Sequence, residues 1–261
     1  MQDTLKDNSN RIENKLISAA KKYAGFLEAK TNHSAYENIY DLPLKELKKS
    51  LKEQKETLKS LDILLSHKGY KKYLTQIRRL SHSMRWSGES KLLPISVMAH
   101  LVEVTFISYI IASIENHDKK DSIDTLEMLL RSIYHDIPEA ITGDIINPTK
   151  KSVPGFAEVL EKVEKAMLDD YLFCHAPKNF KTEIERYIFQ PFDEKEGKLV
   201  KYSDIFAALF EAKIEGLYGN TREFEDICKN LEKILSPLPL KSVQYLLHQG
   251  ISSFVEKNGI N

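Results

Sequence analysis

Eighteen consecutive residues, Val97 to Ile114, pass with only two ionisable side chains, His100 and Glu103. A run of that length and apolarity forms either a membrane span or the central helix of a bundle. Its ends lack the basic and aromatic anchors that mark a membrane interface, and a charge at mid-bilayer costs several kcal/mol. The sequence therefore predicts a buried core helix and no membrane association. Elsewhere, apolar residues recur at three- and four-residue steps: Ile12, Leu16, Ile17, Tyr23, Phe26 and Leu27, then Leu44, Leu47, Leu51, Leu58, Leu61 and Leu65. No sustained β-branched alternation and no Asn-Gly or Asp-Gly hairpin interrupts them. The expected fold class is all-α. Further helices are expected from Pro94 to Glu115, Ser122 to His135, Gly155 to Leu172, Lys181 to Phe189, Glu194 to Tyr218, Arg222 to Leu235 and Leu240 to Glu256. Pro43 suits a first helical turn, and Gly219-Asn220 and Pro237 through Pro239 supply breaks.

The 261 residues are 42% hydrophobic and 29% charged, a globular composition with enough chain to build a core. Two cysteines, Cys174 and Cys228, make neither a disulfide framework nor a CxxC pair, which points to a reducing compartment. The N-terminus has no apolar block behind a basic patch, so no secretory signal is read and the expected location is cytoplasmic. Net charge is zero but uneven. Residues 1–80 hold 17 Lys and Arg against 10 Asp and Glu, and residues 81–261 hold 21 against 28. Lys68, Lys71, Lys72, Arg78 and Arg79 interleave with Tyr70 and Tyr73, yet no nucleic-acid motif accompanies them, and a solvated basic face is the reading. The leucines from Leu44 to Leu65 keep a heptad rhythm interrupted by Gln54, a narrow seam suited to docking within an N-terminal hairpin or onto the main domain, with dimerisation as the other use.

Chemistry concentrates in the stretch from His135 to Lys150. Adjacent His135 and Asp136 would splay apart along a helix, but Pro138 ends the helix just after them, so both can converge on one ion. Imidazole plus carboxylate suits a divalent transition metal such as Mn, Fe, Co, Ni or Zn. Two ligands hold a metal loosely, so more are expected from buried helices. His100 lies in the apolar run, and Asp204 lies in the apolar stretch Leu199 to Phe210; each needs a partner when buried.

The order His100, His135-Asp136, Asp204 resembles the signature of the HD superfamily of metal-dependent phosphohydrolases, whose domains are helical bundles. His117-Asp118 is a decoy in a polar connector. Within the superfamily the chain is most similar to the bacterial 5'-deoxynucleotidases, through Arg85-Trp86, Ser96-Val97-Met98-Ala99-His100, the His135 to Asp144 stretch and Pro148-Thr149-Lys150. The resemblance spans about residues 75 to 220. It departs at Ala99 and Leu101, where the family has an acidic and a small polar residue. It implies an HD domain over residues 71–235; outside it the chain is read as an N-terminal helical extension over 1–70 and a C-terminal helix packed on the HD domain over 236–261. It also implies a small-molecule nucleotide substrate, a single divalent metal on His100, His135, Asp136 and Asp204, and a homodimer.

Roles follow from the resemblance for Glu139 and Trp86, and from the residues themselves for the others. Glu139, just past the break, orients or deprotonates the attacking water, and Asp144 protonates the leaving oxygen or holds Glu139. Arg85 neutralises the phosphate through two parallel hydrogen bonds, with Lys150, Lys198 and Lys201 as weaker candidates. Trp86 crowds a ribose 2'-hydroxyl, and His82 has an outer or surface role. The expected function is a 5'-nucleotidase acting on (deoxy)nucleoside monophosphates. Other HD activities compete with it: dNTP triphosphohydrolase, phosphodiesterase and guanosine polyphosphate hydrolase. A non-catalytic nucleotide sensor is the reading from another class.

Overall fold

The computed structural model describes residues 11–117, 122–143, 154–174 and 176–251. Contacts divide the chain into two units, residues 1–71 and 72–261. In the first, α1 (Ile12–His33) pairs with α2 (Glu37–Lys55), and α3 (Lys59–Ser66) follows. The heptad leucines turn inward: Leu51 on α2 and Leu58 and Leu61 at the start of α3 are buried, as are Ala19, Tyr23 and Ala29 of α1. Gln54, the residue that interrupts the rhythm, donates to Ser18 Oγ at 3.4 Å, so the break faces the partner helix as a polar contact. Pro43 corrects its expected place. It lies inside α2, because the first turn closes earlier, on the Tyr36 carbonyl that accepts from Ile39 and Tyr40. Proline deprives the Ile39 carbonyl of its donor, and Ile39 lies on the exposed side. The helix α4 (Lys68–Ile77) carries the boundary between the units.

The second unit is helical, and among the described residues its only β pairing is an isolated antiparallel bridge between Met84 and Ser96. Its central element is α5 (Val97–His117), the apolar run read from sequence and the described helix with the length and composition of a membrane span. Val97, His100, Leu101, Val104, Ser108, Ile111 and Ala112 are buried at helical spacing. Around it lie α6 (Thr125–Tyr134), the short α7 (Glu139–Thr142), α8 (Phe156–Met167), α9 (Lys178–Phe189), α10 (Glu194–Leu217), α11 (Thr221–Leu235) and α12 (Lys241–Tyr245). One core joins Val104, Ile111, Met128, Phe206, Leu209, Phe224 and Val243. A second joins Leu80, Val97, Leu101, Ile137, Leu168, Leu172 and Ile184. Each such fully buried side chain contributes roughly 1.5–3 kcal/mol. His100 sits on α5 where the two cores meet, between Val97 of the second core and Val104 of the first.

Boundaries differ from expectation where caps decide them. The expected start at Ser122 moves to Thr125, because the Asp124 carboxylate caps α6 by accepting from Glu127 N at 3.0 Å. The expected helices to Leu172 and to Glu256 instead widen into π-helical segments at Leu168–Phe173 and Leu246–Ile251, and residues beyond 251 lie outside the described set.

Candidate metal centre

The break at Pro138 works as its chemistry requires. α6 stops at Tyr134, the chain turns through His135 to Pro138, and Asp136 O accepts from Glu139 N at 3.1 Å as α7 begins. This turn brings both members of the His-Asp pair toward His100. One ligand atom from each of His100, His135 and Asp136 lies within 4.8 Å of the others, a group that can hold a metal ion.

The orientation of the rings supports that use. His135 Nδ1 donates to Ser132 O at 2.8 Å, which turns Nε2 toward the cluster; it is buried, without a hydrogen bond, and 3.2 Å from Asp136 Oδ2. His100 Nδ1 faces Glu211 Oε1 at 2.9 Å, and its Nε2 lies 3.2 Å from Asp204 Oδ1 and 3.8 Å from Asp136 Oδ2. A ring nitrogen tied to a carboxylate or carbonyl while the other faces the cluster is the arrangement that orients histidine ligands of metals. The donor set, two imidazoles and a carboxylate, suits a divalent transition ion.

Electrostatics bind the group together. Burial works against a charged His100, but hydrogen bonds to Asp204 and Glu211 outweigh it and push the imidazole up to about 9. Burial likewise opposes ionisation of Asp136, and the adjacent His135, with His100, holds it down at about 2. Asp204 is held well below the usual carboxylate range, where contact with His100 and the Lys201 ammonium overcomes desolvation. Glu103, one turn along α5, is pushed up to about 7 by burial and by the negative charge of Glu211.

The other expected residues divide clearly. Asp204 touches His100 but falls outside the three-residue group, and its Oδ2 takes Lys201 Nζ at 2.9 Å. Arg85 reaches the site with its guanidinium already engaged, 3.2 Å from Glu211 and 3.8 Å from Asp136. Glu139 lies at the start of α7, and its charge helps hold Arg85 protonated. Trp86 is placed beside Arg85 and packs edge-on against Phe224 at 5.5 Å. Lys198 is exposed and lines a different cavity with Ile114, Tyr202 and Leu238, so it does not join the site. His82 is exposed at the end of a 3₁₀ turn. Asp144, Lys150 and Asp118 lie outside the described residues, and His117 is the last residue of α5.

Two residues that hold the site in place are absent from the sequence analysis. Glu211 accepts from His100, Arg85 and Trp86; the signal available was a carboxylate within Leu209-Phe210-Glu211-Ala212, seven residues after Asp204 on the same apolar helix. Arg131 is buried four residues before His135 and spans Glu127, Glu194 and the Gln190 carbonyl, which pins the end of α6 to the turn before α10. That turn presents Phe192 to the His135 ring at 5.8 Å.

Known structures give the class. An HD-domain phosphohydrolase of Listeria innocua superposes with a TM-score of 0.63 at 25% identity, over 72% of this chain and 90% of its own. The HD phosphohydrolase DatZ of cyanophage S-2L, described with dA and one catalytic Zn²⁺ ion, has a TM-score of 0.50 at 19% identity over 70% of this chain and 96% of its own, a likeness of fold. The profile described as 5'-deoxynucleotidase YfbR-like matches residues 72–254, and the chain belongs to that family. A 5'-deoxynucleotidase of Vibrio vulnificus is 25% identical over 183 residues, 70% of this chain and 93% of its own length. One of Yersinia pestis is 26% identical over 183 residues, 70% and 92% of the two chains.

Proposed function

We propose that the protein is a metal-dependent phosphohydrolase that releases inorganic phosphate from deoxynucleoside 5'-monophosphates. The observation that carries this reading is the convergence of His100, His135 and Asp136, with both histidines held by Nδ1 and presenting Nε2 to the group. These residues, with Asp204 alongside, would hold one divalent ion of the Mn, Fe, Co, Ni or Zn type. Such an ion lowers the pKa of nearby water and stabilises charge on phosphoryl oxygens.

The chain's own groups supply the rest. The Glu139 carboxylate takes a proton from the attacking water as its oxygen bonds to phosphorus and the P–O5' bond breaks. The leaving oxygen takes up a proton, so nucleoside and phosphate are the products. Arg85, held through Nε by Glu211 with Nη1 3.8 Å from Asp136, offers its outer guanidinium nitrogens to the phosphate. Trp86 stands next to it as the wall against which a ribose 2'-hydroxyl would crowd. The names of the curated relatives and their 93% and 92% coverage support the monophosphate reading over other HD activities. Cys174 and Cys228 as free thiols fit a cytoplasmic location.

His135→Ala or Asp136→Ala is expected to lose bound metal and dAMP hydrolysis together, measured by elemental analysis and phosphate release. Full turnover by either variant after exhaustive chelation would sink the metal reading. Trp86→Ala is expected to narrow the ratio of dAMP to AMP turnover; an unchanged ratio would make the ring a packing element only.

A further inference from the structure

Glu211 is 1% exposed, so its carboxylate cannot touch a substrate, yet it accepts from three donors that belong to two different tasks. Oε1 takes His100 Nδ1 at 2.9 Å. Oε2 takes Trp86 Nε1 at 2.6 Å and Arg85 Nε at 3.2 Å. A buried carboxylate stripped of its donors is costly, so these bonds stand or fall as a set. Trp86 moreover has φ 59, a left-handed backbone that bulky residues rarely adopt and that persists only where surroundings over-determine it. Its surroundings are the Glu211 bond, the Phe224 ring at 5.5 Å, and the bridge in which Arg85 N donates to Ile95 O at 2.9 Å. Lys91, which donates to the Arg85 carbonyl, closes the segment.

We propose that Glu211 is the positioning residue that couples the metal centre to sugar discrimination: one oxygen fixes the His100 ring and the other fixes the Arg85-Trp86 wall. The proposal rests on the phosphohydrolase reading for the roles of His100 and Trp86. The link itself is a property of this chain's geometry and is measurable without substrate. A rotation of the carboxylate that follows His100 onto a metal must move the acceptor of Trp86, and the reverse holds by reciprocity.

Glu211→Gln keeps the shape but replaces one of the two acceptor oxygens by an amide N–H₂, on the side of either His100 or the Arg85-Trp86 pair. Trp86 is the chain's only tryptophan, so the tryptophan emission reports the surroundings of this one ring. In the metal-free variant, emission is expected to shift from that of the wild type. Zn²⁺ affinity by calorimetry is expected to fall about 10–100-fold, the usual effect of losing such a support. The dAMP to AMP ratio of kcat/KM should contract in the same variant, and Glu211→Asp should recover part of the metal affinity. Trp86→Phe guards against a misfolded Glu211 variant. It leaves an aromatic ring to face Phe224, removes the Nε1 donor together with part of the indole, and should weaken Zn²⁺ binding several-fold although Trp86 is no ligand. Unchanged Zn²⁺ affinity in Trp86→Phe would overturn the coupling, as would a Glu211→Gln protein that loses metal while keeping the wild-type sugar ratio. Absence of dAMP turnover in the wild type defeats the functional reading instead, and leaves emission and Zn²⁺ affinity to decide the link.

Discussion

Glu103 is the carboxyl whose environment makes the sharpest pH statement. Burial, then the charge of Glu211, raises it to about 7. Between the ordinary carboxylate range and that value the folded protein holds a proton that the unfolded chain has released, so stability falls as pH rises through this window. Glu103→Gln is accordingly expected to raise the Tm of the metal-free protein at pH 8 and to give a smaller gain at pH 5; an equal gain at both would refute the assignment. Its neighbours illustrate which residues a sequence discloses. His100, His135 and Asp136 were legible because a polar group in an apolar run and a His-Asp pair before proline are local patterns. Glu211 and Arg131 were not, since their roles depend on partners 111 to 126 residues away for Glu211 and 59 to 63 away across the α6 end for Arg131.

Turns and close approaches decide where the helices deliver their side chains. Gly197, in the first turn of α10, is such a point: a Cβ there would lie 2.5 Å from the Phe192 carbonyl carbon and 2.8 Å from Pro191 O. Gly197→Ala must push back the turn that carries Phe192 against His135 and accepts from Arg131. A loss of ~1–3 kcal/mol, the usual cost of overpacking, with weakened metal binding, is expected in a urea titration; wild-type stability would show the turn yields freely. At the other end of α10, Glu215 accepts from Leu92 N and Leu93 N at 2.8 Å and from Asn220, and so ties down the segment after Trp86. Burial opposes its ionisation, but these donors hold it below the usual range. Its contribution is complete above that range and is lost as the pH falls through the depressed value. Glu215→Gln is expected to cost ~1–3 kcal/mol at neutral pH, with the difference from wild type shrinking in acid. Helix positions were legible from apolar periodicity. The π-helical widenings at Leu168–Phe173 and Leu246–Ile251 were not, because they leave that periodicity nearly unchanged while altering the hydrogen-bond register.

At the scale of the molecule, the second unit gathers Arg85, His100, His135, Asp136, Asp204 and Glu211 at the candidate metal centre and its apolar mass around α5, so metal binding there would be linked to folding. An ion present at about 100 times its Kd stabilises the native state by ~2.7 kcal/mol. For a domain of this size that is a rise in Tm of roughly 5–10 °C, which His135→Ala is expected to abolish. The all-α class was legible from the whole sequence, since no stretch alternates as a strand must. The opposite charges of the two ends of the chain predict no contact by themselves, because charge composition constrains association and solubility rather than fold. The most direct test is product analysis of the full chain, stripped with chelator and reloaded with Mn²⁺ or Co²⁺, against dAMP and AMP. Deoxyadenosine and phosphate are expected from dAMP, with slower release from AMP and neither product before metal is restored. Equal hydrolysis in the stripped and reloaded protein, or no deoxyadenosine from dAMP with either ion, would contradict this expectation.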